Sequence, residues 1–410
     1  MRIPRLQASI TALVPAAARD ESSPRPGVRL TGPLAGLRIV EFAGIGPAPF
    51  AGMMLTDSGA DIIRIDRHDR ATYPPQETAH LDLMNRGRRS VAVDLKNPDG
   101  VALALRLIDR ADGLMEGFRP GVAERLGIGP EVCMKRNPRL VYGRMTGWGQ
   151  TGPLAKTAGH DIDYISIAGA LESIGRAGQP PLPPLNLIGD FGGGGMLMAF
   201  GMVAAILSAQ KTGEGQVVDA AMVDGAAALM TMIYTFRSMG IWQDVRGTNL
   251  LDTGAPFYEV YETSDGKFMS VGAIEPQFYA ELIRLLELED EALPDQNDKS
   301  QWPKMKERFA TLFLTKTRDE WQAIFDGTDA CVSPVLSIPE ASHHPHNQHR
   351  GTFTEVAGVI QPAPAPRFEG TPGAIRRPPP NPGQYGDEAL TDWGIDSEQI
   401  AKMRSAGAIT

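Results

Sequence analysis

The chain has 410 residues, 42% of them hydrophobic and 22% charged, which is ordinary for a globular protein with a large core and room for two or three domains. Its formal net charge of −9 excludes a surface built for nucleic-acid phosphates, so any anion site must be local. Two cysteines, Cys133 and Cys331, without a CxxC spacing, argue for a reducing compartment and against a thiolate metal site.

Residues 1–30 stand apart. Up to Ala18 they hold arginines and small residues and no acid, and a polar stretch with prolines follows. They read as an extension, either transit-like or flexible, with a misplaced start codon as the other explanation. Residues 37–43 (LRIVEFA) read as a buried strand, 48–57 as a helix after a turn at 44–47, and 60–66 (ADIIRID) as a second strand. This is a βαβ unit of about 30 residues, as in a doubly wound sheet. Gly44, Gly46 and Gly52 do not fit GxGxxG. The plainer reading is a tight strand-to-helix turn, whose amides can still face a phosphate.

Further strands are expected at 90–95, 113–116 and 140–145, and helices at 98–111 and 121–126. That alternation implies a parallel sheet covered on both faces. An amphipathic segment at 165–174 and a Pro-rich run at 180–184 then separate GHDIDY (159–164) from GDFGGGG (189–195). A helix follows from 196 to 210, and a long, mostly apolar one from 220 to 239. No apolar run reaches the roughly 18 residues of a membrane helix; the best, 196–207, is too short and contains a glycine. Past 250 a hairpin with an Asp265-Gly266 turn, and helices at 277–286, 302–314 and 319–325, read as a smaller α+β domain. Residues 351–382 are Pro-rich and extended, and 397–406 form a surface helix.

His160 and Asp190 stand out chemically. Each is expected on a short loop beside a helix start, and proton chemistry on a carbon acid needs two groups facing each other across a substrate. A lone histidine is commonly structural, and Asp190 also reads as a helix N-cap; the glycine amides after it could hold an oxyanion at the same time. A helix dipole disfavours the imidazolium at position 160, so a partner carboxylate is needed to hold the charge. Glu275, before Pro276, reads by itself as a solvated loop residue. His343, His344, His346 and His349 cluster in a loop without ligand spacing, so no metal is expected, and His68 and His80 read as surface. Arg64, Arg67, Arg70, Arg86, Arg88, Arg89 and Lys96 singly read as a solvated face. Collectively they suit the phosphates of a nucleotide-like ligand.

The ordered blocks LRIVEFAGIGPAPFAGMMLTDSGADIIRIDR, NRGRRSVAVDLK, EGFRPGVAERLGIGP, YGRMTGWGQTGP, GHDIDY, NLIGDFGGGG, GQVVDAAMVDG, GAIEPQF and LTDWGI span most of the chain. With them the sequence resembles the family III CoA-transferase superfamily, and GHDIDY and GAIEPQF resemble its α-methylacyl-CoA racemase branch. The resemblance implies an α/β fold with a Rossmann-like large domain at 31–230, a linker at 231–250, a small α+β domain at 251–340 and a segment, 341–410, that returns to the large domain. It implies an interlocked-ring homodimer, with the active site between one chain's large domain and the other's small domain. It makes His160 and Asp190 the acid/base pair, with Glu275 partnering the histidine. CoA contacts would fall on Arg67, on Val93, Asp94, Leu95 and Lys96, on Gly117, Phe118 and Arg119, on Arg125, and on Gly159, Asp161, Ile162, Asp163 and Tyr164. The implied activity is racemisation of 2-methylacyl-CoA thioesters. The alternative is CoA transfer with Asp190 as nucleophile. No cofactor is expected beyond the CoA of the substrate, and the expected location is cytoplasmic, or peroxisomal or mitochondrial in a eukaryote. Met196, Met198, Met202, Met222, Met230 and Met232 could form a Met-rich acyl surface, or simply core.

Overall fold

A computed structural model describes residues 31–67 and 76–410. The expectations for 1–30, His68 and Arg70 lie outside the described residues. Strand β1 (Arg38–Phe42), helix α1 (Pro47–Asp57) and strand β2 (Asp61–Arg67) form the first unit. Next come β3 (Arg89–Val93), α2 (Pro98–Ile108), β4 (Gly113–Glu116), two short helices α3 (Val122–Arg125) and α4 (Pro130–Arg136), and β5 (Val141–Thr146). Helix α2 starts where the sequence signals it: the Asn97 side chain accepts the Asp99 N–H, and Pro98 takes the first turn, where its missing N–H costs nothing. After α5 (Asp161–Ile167), a helical run and α6 (Leu197–Thr212), strand β6 (Val217–Ala221) completes a six-stranded sheet. Its order is β3-β2-β1-β4-β5-β6, with every pairing parallel. That is the doubly wound order, which reverses direction between β1 and β4.

Period-two alternation sends neighbouring residues to opposite faces. Val40, Ile63, Leu114 and Tyr142 enter one core with Leu103 and Leu107 of α2. Ile39, Ile62, Met115 and Val141 enter the other, beneath α1 and α6. Beyond the sheet, α7 (Met222–Leu229) and α8 (Thr231–Ser238) replace the single helix expected from 220 to 239. Ala220 and Ala221 are drawn into β6 by pairing with β5, and the backbone leaves helical geometry at Met230 (φ −80°, ψ 1°).

Strands β7 (Tyr258–Glu262) and β8 (Phe268–Gly272) make the expected hairpin. Helices α9 (Pro276–Leu285), α10 (Trp302–Phe313) and α11 (Arg318–Phe325) precede β9 (Val332–Pro334), which joins the hairpin in an antiparallel sheet. These elements share a third core, in which Tyr261 stacks on Phe313 at 5.1 Å. The Thr317 hydroxyl accepts the Glu320 N–H while the Glu320 carboxylate accepts the Thr317 N–H, a capping box that starts α11.

Helices α12 (Ile338–Ala341) and α13 (Pro345–Arg350) follow, and α13 includes His346 and His349, read from sequence as loop. Pro345 in its first turn and Gly351 at its end bound that helix. Part of the Pro-rich stretch pairs as a hairpin, β10 (Phe353–Val356) with β11 (Val359–Pro362). The chain then lays α14 (Gly386–Asp392) and α15 (Ser397–Ser405) on the first core, through Leu390, Trp393 and Ile400. Ile409 bridges Val93 at the edge of the sheet.

One helix, Leu187–Thr212, is long and apolar enough to cross a membrane by length and composition alone. It exceeds the run read from sequence because the glycine segment is itself helical. It covers one face of the sheet, with Met198 and Met202 fully buried there, which is how a core helix of a globular fold behaves.

Trp393 is 1% exposed and donates its indole N–H to Asp61 at 2.8 Å. Trp393→Ala should therefore cost about 3–5 kcal/mol of stability, read as a lower urea midpoint with an unchanged slope.

Candidate active site

In a doubly wound sheet, ligands lie in the crevice at the carboxyl ends of the strands where the order reverses. Here a cleft of about 280 Å³ opens there, lined by Gly44 and Ile45 after β1, Gly117 to Pro120 after β4, Met145 to Trp148 at the end of β5, and Gly159, His160 and Tyr164. His160 is exposed and is the residue from which α5 starts; its N–H donates to the Asp163 carboxylate at 2.9 Å. The Tyr164 hydroxyl donates to the Gly159 carbonyl, and its ring meets Trp148 edge-on at 4.8 Å. Burial, then the charges of Asp190 and Asp163, push the Tyr164 phenol up to about 12.

Asp190 departs from the sequence reading. It lies not on a loop but inside a π-helical segment, Leu187–Met196, that runs directly into α6. Four consecutive glycines let this wide turn pack closely: a Cβ on Gly193 would stand 2.6 Å from the Ala226 backbone of α7. The Asp190 carboxylate accepts from the Asn186 amide at 2.7 Å and stands 3.5 Å from where a Cβ on Gly46 would be. Burial raises its carboxyl above the usual range and Asp161 adds to this, while the Asn186 hydrogen bond and the charge of His160 pull it down. Asp190 is tied to the cleft at two points: its N–H donates to Asp161, next to His160, and its carboxylate stands beside Gly46, between the lining residues Ile45 and Pro47. A second hollow of about 280 Å³, lined by Ile45, Gly46, Pro49, Leu81 and Met84 among others, adjoins Gly46.

Other expected contacts follow the same edge. Arg67 is exposed at the end of β2, where it pairs in register with Val93 of β3. Val93 is buried, between β2 and the bridging Ile409, and so offers no surface for a CoA contact; Asp94, Leu95 and Lys96 follow it, with the Lys96 N–H on the Asp94 carboxylate at 2.8 Å. Arg119 and Arg125 are exposed after β4, as are Ile162 and Asp163 on α5. Asp161 is 3% exposed, with its carboxylate turned inward. Glu275 is not among the residues lining this cleft. It is exposed at the start of α9, close enough to Cys331 to add to the rise that burial gives that thiol.

The basic cluster reads differently in three dimensions. Arg64, Arg86, Arg88 and Arg89 are buried. Arg88 pairs with Glu41 at 3.0 Å, Arg64 with Asp66 at 3.1 Å, Arg86 with Asp57 at 2.5 Å, and Arg89 with Asp61 at 2.8 Å. A buried guanidinium must be neutralised nearby, and these four do that inside the fold instead of meeting phosphates. The methionines divide as well: Met198, Met202 and Met222 are core, while Met196 and Met232 are exposed. Among the described residues no three His, Cys, Asp or Glu stand close enough together to hold a metal ion.

A family profile described as CoA-transferase family III matches residues 34–385. The chain belongs to that family. It is 46% identical over 374 residues to alpha-methylacyl-CoA racemase of Mus musculus, covering 91% of this chain and 96% of the relative. The Homo sapiens protein of the same name is 45% identical over 375 residues, with the same coverage. A CAIB/BAIF family protein from Brucella suis, 23% identical, superimposes with a TM-score of 0.75 over 88% of this chain and all of that one, which shows the fold.

Sequence reading missed Glu116, at the end of β4. Fully buried, it accepts the Phe118 N–H at 2.6 Å and the Arg144 Nε–H at 2.9 Å, and Arg144 reaches on to Glu124 of α3 at 2.9 Å. An acid just before the Gly-Phe-Arg-Pro turn was the available signal. Burial pushes this carboxyl up to about 7, against the pull of the Phe118 amide and Arg144. A carboxyl whose pKa is raised by folding contributes stability below its unfolded value and loses it as pH rises through the folded one. The wild-type melting temperature should therefore fall between about pH 5 and pH 8. Glu116→Gln should flatten that decline, as read by thermal melts across the range.

Proposed function

We propose that this protein interconverts (R)- and (S)-2-methylacyl-CoA thioesters. The activity for which the mouse and human relatives are named carries over at this identity and coverage. The observation that supports the mechanism is the hydrogen bond from the Asp190 N–H to Asp161, the residue next to His160 in the cleft lining. One group removes the α-proton of the thioester, and the other returns a proton to the opposite face. Swapping roles runs the reaction backwards. The enolate formed between the two steps needs donors for its oxygen, and the amides at the start of α5 are suited to that, whereas those of Gly192 to Gly195 are taken up in the π-helix. No cofactor is required beyond the CoA of the substrate.

The CoA moiety would run along the carboxyl edge past Arg67, residues 93–96, residues 117–119, Arg125 and residues 159–164. The acyl group would lie toward Gly46 and its apolar hollow, close to Asp190. Glu275 would reach His160 from a second chain, orienting the imidazole and stabilising its charged form. Support for such a homodimer comes from unpaired apolar surface. Helix α8 has no buried residue, and Phe200, Leu229, Met232, Tyr234 and Met239 are all exposed. An interlocked pair with large and small domains in the expected layout would cover them. We place the enzyme in the cytoplasm, or in a peroxisome or mitochondrion if the source is eukaryotic.

His160→Ala and Asp190→Ala should each lower racemisation by about 10²–10⁴-fold while acyl-CoA still binds. The assay is incubation of (R)-2-methylacyl-CoA in D₂O, following deuterium uptake and chirality; wild-type exchange in both variants overturns the assignment. CoA transfer through Asp190 would instead leave an enzyme-bound CoA thioester that hydroxylamine traps, with no exchange in the absence of an acceptor acid. Glu275→Gln should slow turnover, and a mixed dimer of Glu275→Gln with His160→Ala chains should keep one wild-type site.

A further inference from the structure

The first N–H groups of any helix lack an intrahelical acceptor. In the π-helical segment the first i→i−5 bond is from the Phe191 N–H to the Asn186 carbonyl, at 3.2 Å. The Asp190 N–H just before it is therefore without a helical partner, and the Asp161 carboxylate accepts it at 2.7 Å. Asp161 is 3% exposed and follows His160 directly in the chain. Gly189 leaves the room: a Cβ there would stand 2.5 Å from Asp161 Oδ2. One carboxylate thus joins the backbone that carries the imidazole to the backbone that carries the other acid/base group.

We propose that Asp161 is a positioning residue, which fixes Asp190 relative to His160 by holding the Asp190 amide, and is not primarily a CoA contact. This rests on the acid/base reading given above. The groups facing the Asp190 side chain are Asn186 on its own segment and Asp161, His160 and the Tyr164 hydroxyl at the start of α5; Arg119 across the cleft acts on Tyr164. In this setting Asp161 also supplies negative charge beside Asp190. Removing that charge makes the Asp190 carboxylate easier to form.

In a two-base racemase each base starts the reaction on one enantiomer only. Loss of α-deuterium from (R)- and from (S)-2-[2-²H]methylacyl-CoA therefore reads the two bases separately. Asp161→Ala should slow exchange from one enantiomer at least tenfold more than from the other, with KM for acyl-CoA within about twofold. Asp161→Asn, which keeps an acceptor oxygen for the Asp190 N–H, should restore most of that rate and move the acidic limb of kcat/KM to lower pH. Equal slowing from both enantiomers, wild-type exchange from both, or a raised KM with unchanged kcat in Asp161→Ala overturns the proposal. If Asp161→Ala does not fold, Asp161→Ser, whose shorter side chain cannot reach the Asp190 N–H, takes its place with the same readouts and the same overturning results. Absence of exchange in the wild-type enzyme would instead overturn the acid/base reading itself.

Discussion

A parallel sheet buried on both faces can place its active residues only beyond its strand ends, because both sides are occupied by helices. That constraint governs this protein. The cleft is assembled from loops after β1, β4 and β5 together with the start of α5. What fixes them is charge buried beneath. Glu41 and Arg88 are both fully buried, as is Glu116 under the turn after β4. In a low-dielectric interior such groups strongly resist separation, since breaking one pair strands its partner. Arg88, which the sequence offers for phosphates, instead donates to the carbonyls of Met84 and Pro49 and so anchors the first turn of α1.

Strands β1 to β5 and the hairpin β7–β8 were legible because each is a short apolar run with alternating faces, whereas β6, β9, β10 and β11 were not, being short, polar or Pro-containing and defined by their pairing. Ile39 and Val40 sit on opposite faces, as the alternation requires. The unit at 61–67 reads equally well despite its charges, since Arg64 and Asp66 satisfy each other within the strand. The starts of α1, α2, α9 and α10, each with Pro in the first turn, were read to within a residue, whereas the short helices α4, α12 and α13 were not, because a single turn or two carries too little apolar periodicity to show. What could not be read was anything set by tertiary approach. Four glycines in a row signal a loop by propensity. Here they form a π-helical turn because only residues without side chains can pack this closely against α7. The division of the methionines between core and surface likewise depends on which face of α6 meets the sheet.

The site shows the same split. His160 falls on the cleft that its place at a helix start suggested, while Asp190, read as a loop residue, stands inside a helix and reaches the cleft only beside Gly46. The inward turn of the Asp161 side chain had no local signal, because its partner amide is 29 residues away. Glu275 lies on the other sheet's side of the chain, outside the cleft of its own molecule, so only an argument about a second chain gives it a role.

The packing of α14 and α15 has a consequence for biosynthesis. Trp393 and Asp61 are 332 residues apart along the chain, yet the Trp393 indole N–H reaches Asp61 at the edge of the first core. A growing polypeptide that has already emitted β1, β2 and β3 from the ribosome still lacks the wall that covers them. The first-made strands must wait, with apolar surface uncovered, until translation is nearly over. Topology of this kind slows closure and exposes the intermediate to self-association. Holdase chaperones therefore have their natural opening on the early sheet, before the tail arrives.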